Sequence, residues 1–316
     1  MIARACAALA ALLLSGCATL FTPPQTAALQ TRPPQDLAPR VERAEVPFFA
    51  QERDHCGPAA LAMALADAGI PADPDRLADA VFLPSRAGSL QLEMVGGARR
   101  QGAVATRLPR ELEAVLREVA AGHAVVVLQN LGLEWIPRWH YAVVVGYDIE
   151  RHEILLRSGT TRRATLPLRT FEYTWARGGH WAIAVLPPDR LPATALQADA
   201  QDAAIGFERA APPSRAAVAY RTLLARWPDN LLAGIGLGNT LNAGGDAAGA
   251  RAAFEAVAAR HDSAVAWINL ARLRLDAGDR AGARKAAQRA LQRANTAEPA
   301  WRDAATAALA AADDRH

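Results

Sequence analysis

Hydrophobic and polar positions follow a mixed pattern between Val46 and Pro187. An apolar run over residues 59–68, ended by Gly69, predicts a helix, and the amphipathic stretch over residues 110–121 predicts a second one. Further patterns predict strands over residues 103–108, 124–128, 140–145, 153–156 and 180–186, and a short helix over residues 168–176. A helix followed by mostly antiparallel strands with short turns predicts an α+β domain over residues 46–187, with the helix packed on the sheet.

From about residue 199 the pattern is helical throughout, and it repeats. Gly245-Asp246 recurs 33 residues later as Gly278-Asp279, and Tyr220 and Phe254 are 34 residues apart. Periods of this length are typical of tetratricopeptide (TPR) arrays, in which helix pairs stack to bury a shared core. We predict an all-α TPR-like repeat domain over residues 199–316, after a Pro-rich linker over residues 188–198. A plain helical bundle with accidental spacing is the alternative.

The first residues have the pattern of an export signal. Arg4 precedes an apolar run over residues 5–14, which is too short to span a bilayer but suits a secretory signal. Leu14-Ser15-Gly16-Cys17 resembles the bacterial lipobox, in which the cysteine is lipidated, and Ala at position 18 favours the outer membrane by the same resemblance. We expect a periplasm-facing outer membrane lipoprotein with a signal over residues 1–17 and an extended Pro-rich tether over residues 18–45. The alternatives are an uncleaved anchor or a signal cut elsewhere.

Charge and composition narrow the classes of function. The chain has 35 basic and 32 acidic residues, a net charge of +3, and no basic cluster, so we expect no nucleic-acid partner. No Cys/His cluster has metal-ligand spacing, so we predict no metal and no cofactor. The cysteines are Cys6, Cys17 and Cys56. Removal of the signal and acylation of Cys17 would leave Cys56 as the single free thiol, and a lone exported thiol indicates either a reactive group or a buried spectator.

Cys56 has the surroundings of a nucleophile. It lies directly before the predicted helix 59–68, where the helix dipole favours thiolate and is expected to lower the pKa of the thiol. Gln51, five residues earlier, carries an amide that can donate a hydrogen bond to an oxyanion. His140 opens a predicted strand and could serve as the base. His55, His123, His152 and His180 lack such surroundings, so we interpret them as structural or solvated.

Gln51…Cys56-Gly57-Pro58 together with His140-Tyr141…Gly146-Tyr147-Asp148 resembles the double-glycine leader peptidase family, and a weaker match lies over residues 171–175. The resemblance covers roughly residues 46–187. It implies a papain-like fold in which Cys56 is the nucleophile, His140 the base and Gln51 the oxyanion donor. The predicted function is a lipid-anchored periplasmic cysteine peptidase that acts on a peptide or protein through a thioacyl intermediate, with the repeats recruiting a protein partner.

One position departs from this family. The family's Asp that orients the His corresponds to Ser158, which cannot stabilise an imidazolium as a carboxylate does. Asp148 is a second candidate for this role, although its position also suits a turn. Reduced activity is therefore expected. The other readings are a catalytically weak or inactive papain-like peptide-binding scaffold, and an acyl or peptidyl transferase.

Overall fold

The computed structural model of this chain describes residues 22–50 and 54–314. Cys17 and Gln51 therefore lie outside the described residues. The chain divides into two compact units. The first ends at Pro187 and takes in Pro192–Asp199 as well, and the second comprises Pro188–Leu191 and the residues from Ala200 onward. None of the helices within the described ranges combines the length and the apolar character that a membrane span requires.

The first unit is built on one antiparallel sheet. Its strands are β1 (Arg40–Glu42), β2 (Val104–Arg107), β3 (Val125–Asn130), β4 (Trp139–Asp148), β5 (Glu153–Ser158), β6 (Thr161–Pro167) and β7 (Ala182–Leu186). They are ordered β2-β7-β3-β4-β5-β6, and β1 pairs with the last residues of β4. The register pairs Gln129 of β3 with His140 of β4, which places the predicted base at the start of a central strand.

Helices cover both faces of this sheet. They are α1 (Pro24–Thr31), α2 (Cys56–Asp67), α3 (Pro74–Val81), α4 (Gln91–Arg100), α5 (Leu112–Ala120) and α6 (Leu168–Arg177). Val126 and Val143 pack with α2, α3 and α4 on one face, whereas their neighbours Val125 and Val144 pack with α5 and α6 on the other. Successive strand residues point to opposite faces, so a strand buried on both sides is a continuous apolar run. This explains why residues 124–128 and 140–145 show little alternation.

The segment before residue 46 differs from the extended tether that the prolines suggest. Pro23 and Pro24 begin helix α1, because proline is well suited to the first helical turn. The backbone N–H groups of Gln25 and Thr26 donate to the buried carboxylate of Glu172 in α6, at 3.0 and 2.6 Å. These hydrogen bonds join the positive end of one helix to a carboxylate of another, and they fix α1 to the domain.

The second unit consists of consecutive helices that pack in pairs. They are α7 (Gln197–Glu208), whose first residues belong to the first unit, then α8 (Pro213–Arg226), α9 (Leu231–Ala243), α10 (Ala247–His261), α11 (Ala264–Asp276), α12 (Arg280–Thr296) and α13 (Arg302–Asp313). With the first unit, they confirm the predicted fold class, an α+β domain followed by an all-α repeat domain. Assignment of the repeats to the TPR class stays a prediction.

The repeated Gly-Asp pairs have equivalent structures. Gly245 and Gly278 adopt φ of +84° and +80°, a left-handed conformation that suits glycine where a helix ends. The following aspartates, Asp246 and Asp279, cap α10 and α12, because each accepts a hydrogen bond from the backbone N–H three residues later, at 2.8 and 2.9 Å. In both copies of the sequence repeat, the glycine thus ends one helix and the aspartate begins the next.

Candidate active site

Cys56 is the first residue of helix α2 and is half-buried. The backbone N–H groups of Tyr141, Gly57 and Cys56 itself are near enough to its sulfur to lower the pKa of the thiol by hydrogen bonding. The contact with Tyr141 joins the start of α2 to strand β4, one residue from His140. The predicted nucleophile is therefore held beside the strand that carries the predicted base.

Gly57 is required by close packing at the same helix end. A Cβ atom at this position would lie 2.4 Å from the Oγ and 2.7 Å from the Cβ of Ser89. Tyr141 reinforces this contact, since its hydroxyl donates to the carbonyl oxygen of Ser89 at 3.2 Å. The absence of a side chain at Gly57 thus lets the segment around Ser89 lie over the start of α2.

His140 is oriented by Ser158. The two residues lie on neighbouring strands, and Nε2 of His140 is 2.8 Å from Oγ of Ser158. This contact occupies Nε2 and leaves Nδ1 as the ring nitrogen that can exchange a proton with a nucleophile. Among the described residues, the structure therefore brings Ser158, but no carboxylate, to the orienting position.

Asp148 is far from this arrangement. It ends β4, whereas His140 lies near the beginning of the same strand, and eight residues of strand span about 26 Å. Its Oδ1 accepts the backbone N–H of Arg151 at 2.9 Å, within the turn that leads to β5. Asp148 is a turn residue, and it does not orient His140.

A single cleft of about 1180 Å³ connects Cys56 with His140. Its other lining residues come from the segment before α2, the segment before α4 and its first residues, strand β3, the start of β4, the turn after β5, and the end of α6 with the turn after it. They are Asp54, Arg86, Ala87, Gly88, Ser89, Leu90, Gln91, Leu92, Leu128, Arg138, Trp139, Tyr141, Gly159, Arg177, Gly178 and Gly179. A cleft of this size accommodates a segment of polypeptide. No group of three or more His, Cys, Asp or Glu side chains within the described ranges is arranged to hold a metal ion.

Several of these lining residues were not singled out by the sequence. Gly178 and Gly179 look like an ordinary turn, yet a Cβ atom at Gly178 would lie 2.1 Å from the carbonyl oxygen of Leu128, so glycine is needed to form this wall. Leu90 and Trp139 are 47% and 57% exposed, although both are large apolar residues. In the sequence, the only indication that these two residues line the cleft is that each is a bulky apolar residue within a predicted loop.

Both reactive side chains are neutral at rest. Burial raises the pKa of the Cys56 thiol above its ordinary value, and the three backbone hydrogen bonds act in the opposite direction without reversing the shift. Burial, followed by the positive charge of Arg138, lowers the pKa of His140. The backbone N–H groups at the start of α2 lower the pKa of Cys56 as expected, but desolvation of the thiolate is the larger effect, so the net shift is upward and the expected lowered pKa is wrong.

These opposite shifts predict a broad pH profile. The reactive state holds one proton on the Cys56–His140 pair, so it is lost when His140 gains a proton or when Cys56 ionises. We expect kcat/KM to fall on the acid side below pH 6.5, the ordinary pKa of histidine, and on the alkaline side above pH 9.0, that of cysteine. Arg138→Gln should move the acid limb to higher pH, since a neighbouring positive charge is removed. An acid limb above pH 6.5 in the unaltered protein would contradict this account.

Arg157 connects the site to the chain that precedes it. Its side chain is 2% exposed, and it donates to the carbonyl oxygens of Arg43, Ala44, Val46 and Arg162 at distances of 2.6 to 3.4 Å. Residues 43–46 begin the segment that leads to Gln51 and Cys56. The strand that supplies Ser158 therefore also holds the start of the segment that carries the predicted oxyanion donor.

Residues 43–183 match the model of the Peptidase C39-like family. The match confirms the resemblance to double-glycine peptidases for this part of the chain. No curated protein sequence matches this chain.

Three solved structures illustrate its similarities. A Bacillus anthracis protein described as a C39-like peptidase is 21% identical, with 46% of this chain and 97% of that chain covered and a TM-score of 0.39. A double glycine motif protease from an AMS/PCAT transporter, in complex with the leader peptide, is 21% identical, with 46% and 92% covered and a TM-score of 0.34. The Yersinia enterocolitica type III secretion chaperone SycD, in complex with a peptide of the translocator YopD, is 16% identical, with 36% and 88% covered and a TM-score of 0.33.

Proposed function

We propose that this protein, whose first domain matches the Peptidase C39-like family, is a cysteine peptidase that cleaves a peptide or protein through Cys56 and His140. The observation that carries the proposal is the shared cleft. Cys56 and His140 line the same cleft. Ser158 contacts Nε2 of His140, so Nδ1 stays available to exchange a proton with the nucleophile.

The proposed reaction proceeds by acyl transfer to sulfur. As the sulfur of Cys56 attacks the peptide carbonyl carbon, its proton passes to Nδ1 of His140, and the S–C bond forms. His140 then gives this proton to the leaving amine as the C–N bond breaks. Water, deprotonated by His140, then attacks the thioester carbon. As the C–O bond forms, the S–C bond breaks, the new carboxylate is released and His140 returns the proton to the sulfur of Cys56. The backbone N–H of Cys56 and the side-chain amide of Gln51 are proposed to stabilise the oxyanion.

Two further parts of the proposal concern location and partners. Lipidation of Cys17 would hold the chain at the periplasmic side of the outer membrane, as its lipobox-like sequence predicts. The repeat domain is proposed to recruit a protein partner. A depression of about 530 Å³ between α8, α9 and α10, lined by apolar residues such as Leu224, Leu237 and Val257, supports this role.

Hydrolysis and transfer can be separated by one experiment. The mature chain without its lipidated Cys17, residues 18–316, is incubated with a complex peptide mixture in H₂¹⁸O, and the products are identified by mass spectrometry. A hydrolase places ¹⁸O in each newly formed C-terminal carboxylate, because water attacks the thioester. A transferase joins the acyl group to another amine without ¹⁸O. A peptide mixture that is bound but left intact would support the non-catalytic scaffold instead.

Substitutions at Ser158 should change the rate in a graded series. Ser158→Ala leaves a buried imidazole nitrogen without its partner, and we expect kcat/KM to fall about tenfold. Ser158→Asp supplies a carboxylate that stabilises the imidazolium, and we expect kcat/KM to rise about tenfold, with the acid limb shifted to higher pH. Equal rates for all three proteins would show that this position does not orient His140. Steady-state kinetics between pH 4 and 10 provides the measurement.

A further inference from the structure

The loop between β3 and β4 carries an unusual concentration of exposed apolar side chains. Leu131, Leu133, Trp135 and Ile136 are 47%, 54%, 76% and 64% exposed. Large apolar groups gathered at a protein surface mark a site of interaction with a partner or a membrane. Residues 131–136 are called the apolar loop below.

The apolar loop is held in an ordered conformation. Asn130 is 2% exposed, and its side-chain oxygen accepts the backbone N–H groups of Gly132 and Arg138 at 2.9 and 2.8 Å. Its side-chain amide donates to the carbonyl oxygen of Leu133 at 3.3 Å, and the N–H of Leu131 donates to the carbonyl oxygen of Arg138 at 2.9 Å. These bonds close the loop at its base, so the apolar side chains are presented to the surroundings instead of folding back onto the domain.

Its position does not suit binding of the peptide that is cleaved. Arg138 and Trp139, which follow the loop, line the cleft, whereas Leu131, Leu133, Trp135 and Ile136 do not. The exposed side chains thus lie outside the opening between Cys56 and His140. This position favours an occupant other than the reacting peptide.

The apolar loop lies near the point where the N-terminal segment leaves the domain. Helix α1 starts at Pro24 and is bound through Gln25 and Thr26 to Glu172 of α6. Five residues further along α6, a rise of about 7.5 Å, Arg177 donates to the carbonyl oxygen of Asn130 at the base of the loop. Tyr173, which lies between them on α6, adds another exposed aromatic ring, at 42%.

The remaining length of chain is short. Because α1 is docked, only six residues lie between Cys17 and Pro24, and the seven steps of chain from one to the other span at most about 25 Å. A lipid on Cys17, which belongs to the function proposed above, would keep this side of the domain close to the bilayer. Trp, Leu and Ile are suited to the lipid interface, and the exposed Arg138 beside the loop can meet anionic lipid phosphates.

We infer that the apolar loop is a membrane-docking element that inserts into the interfacial region of the lipid bilayer. The loop acts as a second attachment beside the acyl anchor. Stable attachment to a membrane takes two such signals, because one acyl chain alone binds weakly. The opening of the cleft is thereby held at a fixed height above the membrane.

A single fluorescent reporter tests the insertion. In the mature chain carrying Cys56→Ala and without an acyl group, Ile136→Cys supplies one thiol, which is labelled with an environment-sensitive nitrobenzoxadiazole dye. With vesicles of phosphatidylethanolamine and phosphatidylglycerol at a ratio of 3:1, we expect the emission to rise at least twofold and shift to the blue. The same label at Leu232→Cys, an exposed apolar position of the second unit, should not respond. Equal responses at the two positions, or none at Ile136→Cys, overturn the inference.

Vesicle flotation supplies a second readout with matched charge. Trp135→Glu combined with Ile136→Glu should weaken binding of the unlipidated chain about tenfold, whereas Leu196→Glu combined with Leu232→Glu should leave it unchanged. Unchanged binding together with a raised KM for peptide would assign the loop to the substrate and overturn the inference. The labelled protein lacks the nucleophile, so failure of the peptidase proposal and failure of membrane docking are observed separately.

Discussion

A Cys56→Ala protein should form no new peptide termini above the background rate. Loss of the nucleophile removes the thioester route entirely, and in a serine protease the equivalent loss reduces kcat by about 10⁶-fold. The side chain is half-buried at the start of α2, and the change to alanine removes a single sulfur atom, so the fold should be retained. The measurement is the rate of peptide cleavage by the mature chain, followed by mass spectrometry.

The matched control is Cys56→Ser, which replaces the thiol with a slightly smaller hydroxyl, a much weaker nucleophile next to a neutral imidazole. Both variants should melt within a few degrees of the unaltered protein. In the periplasm, the location proposed above, the pool of peptides should lose a defined set of cleaved termini when Cys56→Ala replaces the natural chain. Full cleavage by Cys56→Ala would falsify the peptidase proposal.

A His140→Ala protein should lose about 10³-fold in kcat/KM. The thiol of Cys56 has a raised pKa, so it is protonated near neutral pH and depends on His140 to remove its proton. General acid–base groups contribute about 10²-fold to 10⁴-fold, which sets the expected magnitude. The residual rate should increase with pH up to and beyond pH 9.0, because only the ionised thiol remains reactive.

Two comparisons make the test of His140 specific. His152→Asn changes an exposed histidine in the turn between β4 and β5 and should leave kcat/KM unaffected. Added imidazole should restore part of the activity of His140→Ala, since the open cleft admits a small base, but none of that of Cys56→Ala. If His140→Ala and His152→Asn have equal activity, His140 is not the base.

The sequence predicted those parts of the fold that depend on local pattern. The run over residues 59–68 became helix α2, and the repeated Gly-Asp pairs became helix ends and caps, because both depend on neighbours within a few positions. The docking of α1 could not be predicted in this way. It depends on Glu172, about 147 residues away in the chain, and the five prolines of this segment alone indicate an extended conformation.

The same dependence on local pattern explains which residues of the candidate site could be predicted. Cys56 and His140 could be chosen from their immediate neighbours, and the order of Cys before His suits a papain-like fold. Which side chain contacts His140 depends on how β4 and β5 pair in the folded sheet. The sequence alone does not decide whether that side chain is Ser158 or Asp148. The raised pKa of Cys56 depends on how much water the fold excludes from its surroundings, and no short motif contains this information.

The environment of Arg157 determines how the site responds to acid. Its guanidinium is held by carbonyl oxygens of the backbone, which do not titrate, and burial lowers its pKa from a value so high that the group stays charged. The attachment of residues 43–46 to strand β5 therefore does not weaken as the medium is acidified, unlike an attachment through a carboxylate. When the surrounding medium is acidified, protonation of His140 would reduce the proposed catalytic rate, while this link between chain segments stayed intact and the loss remained reversible.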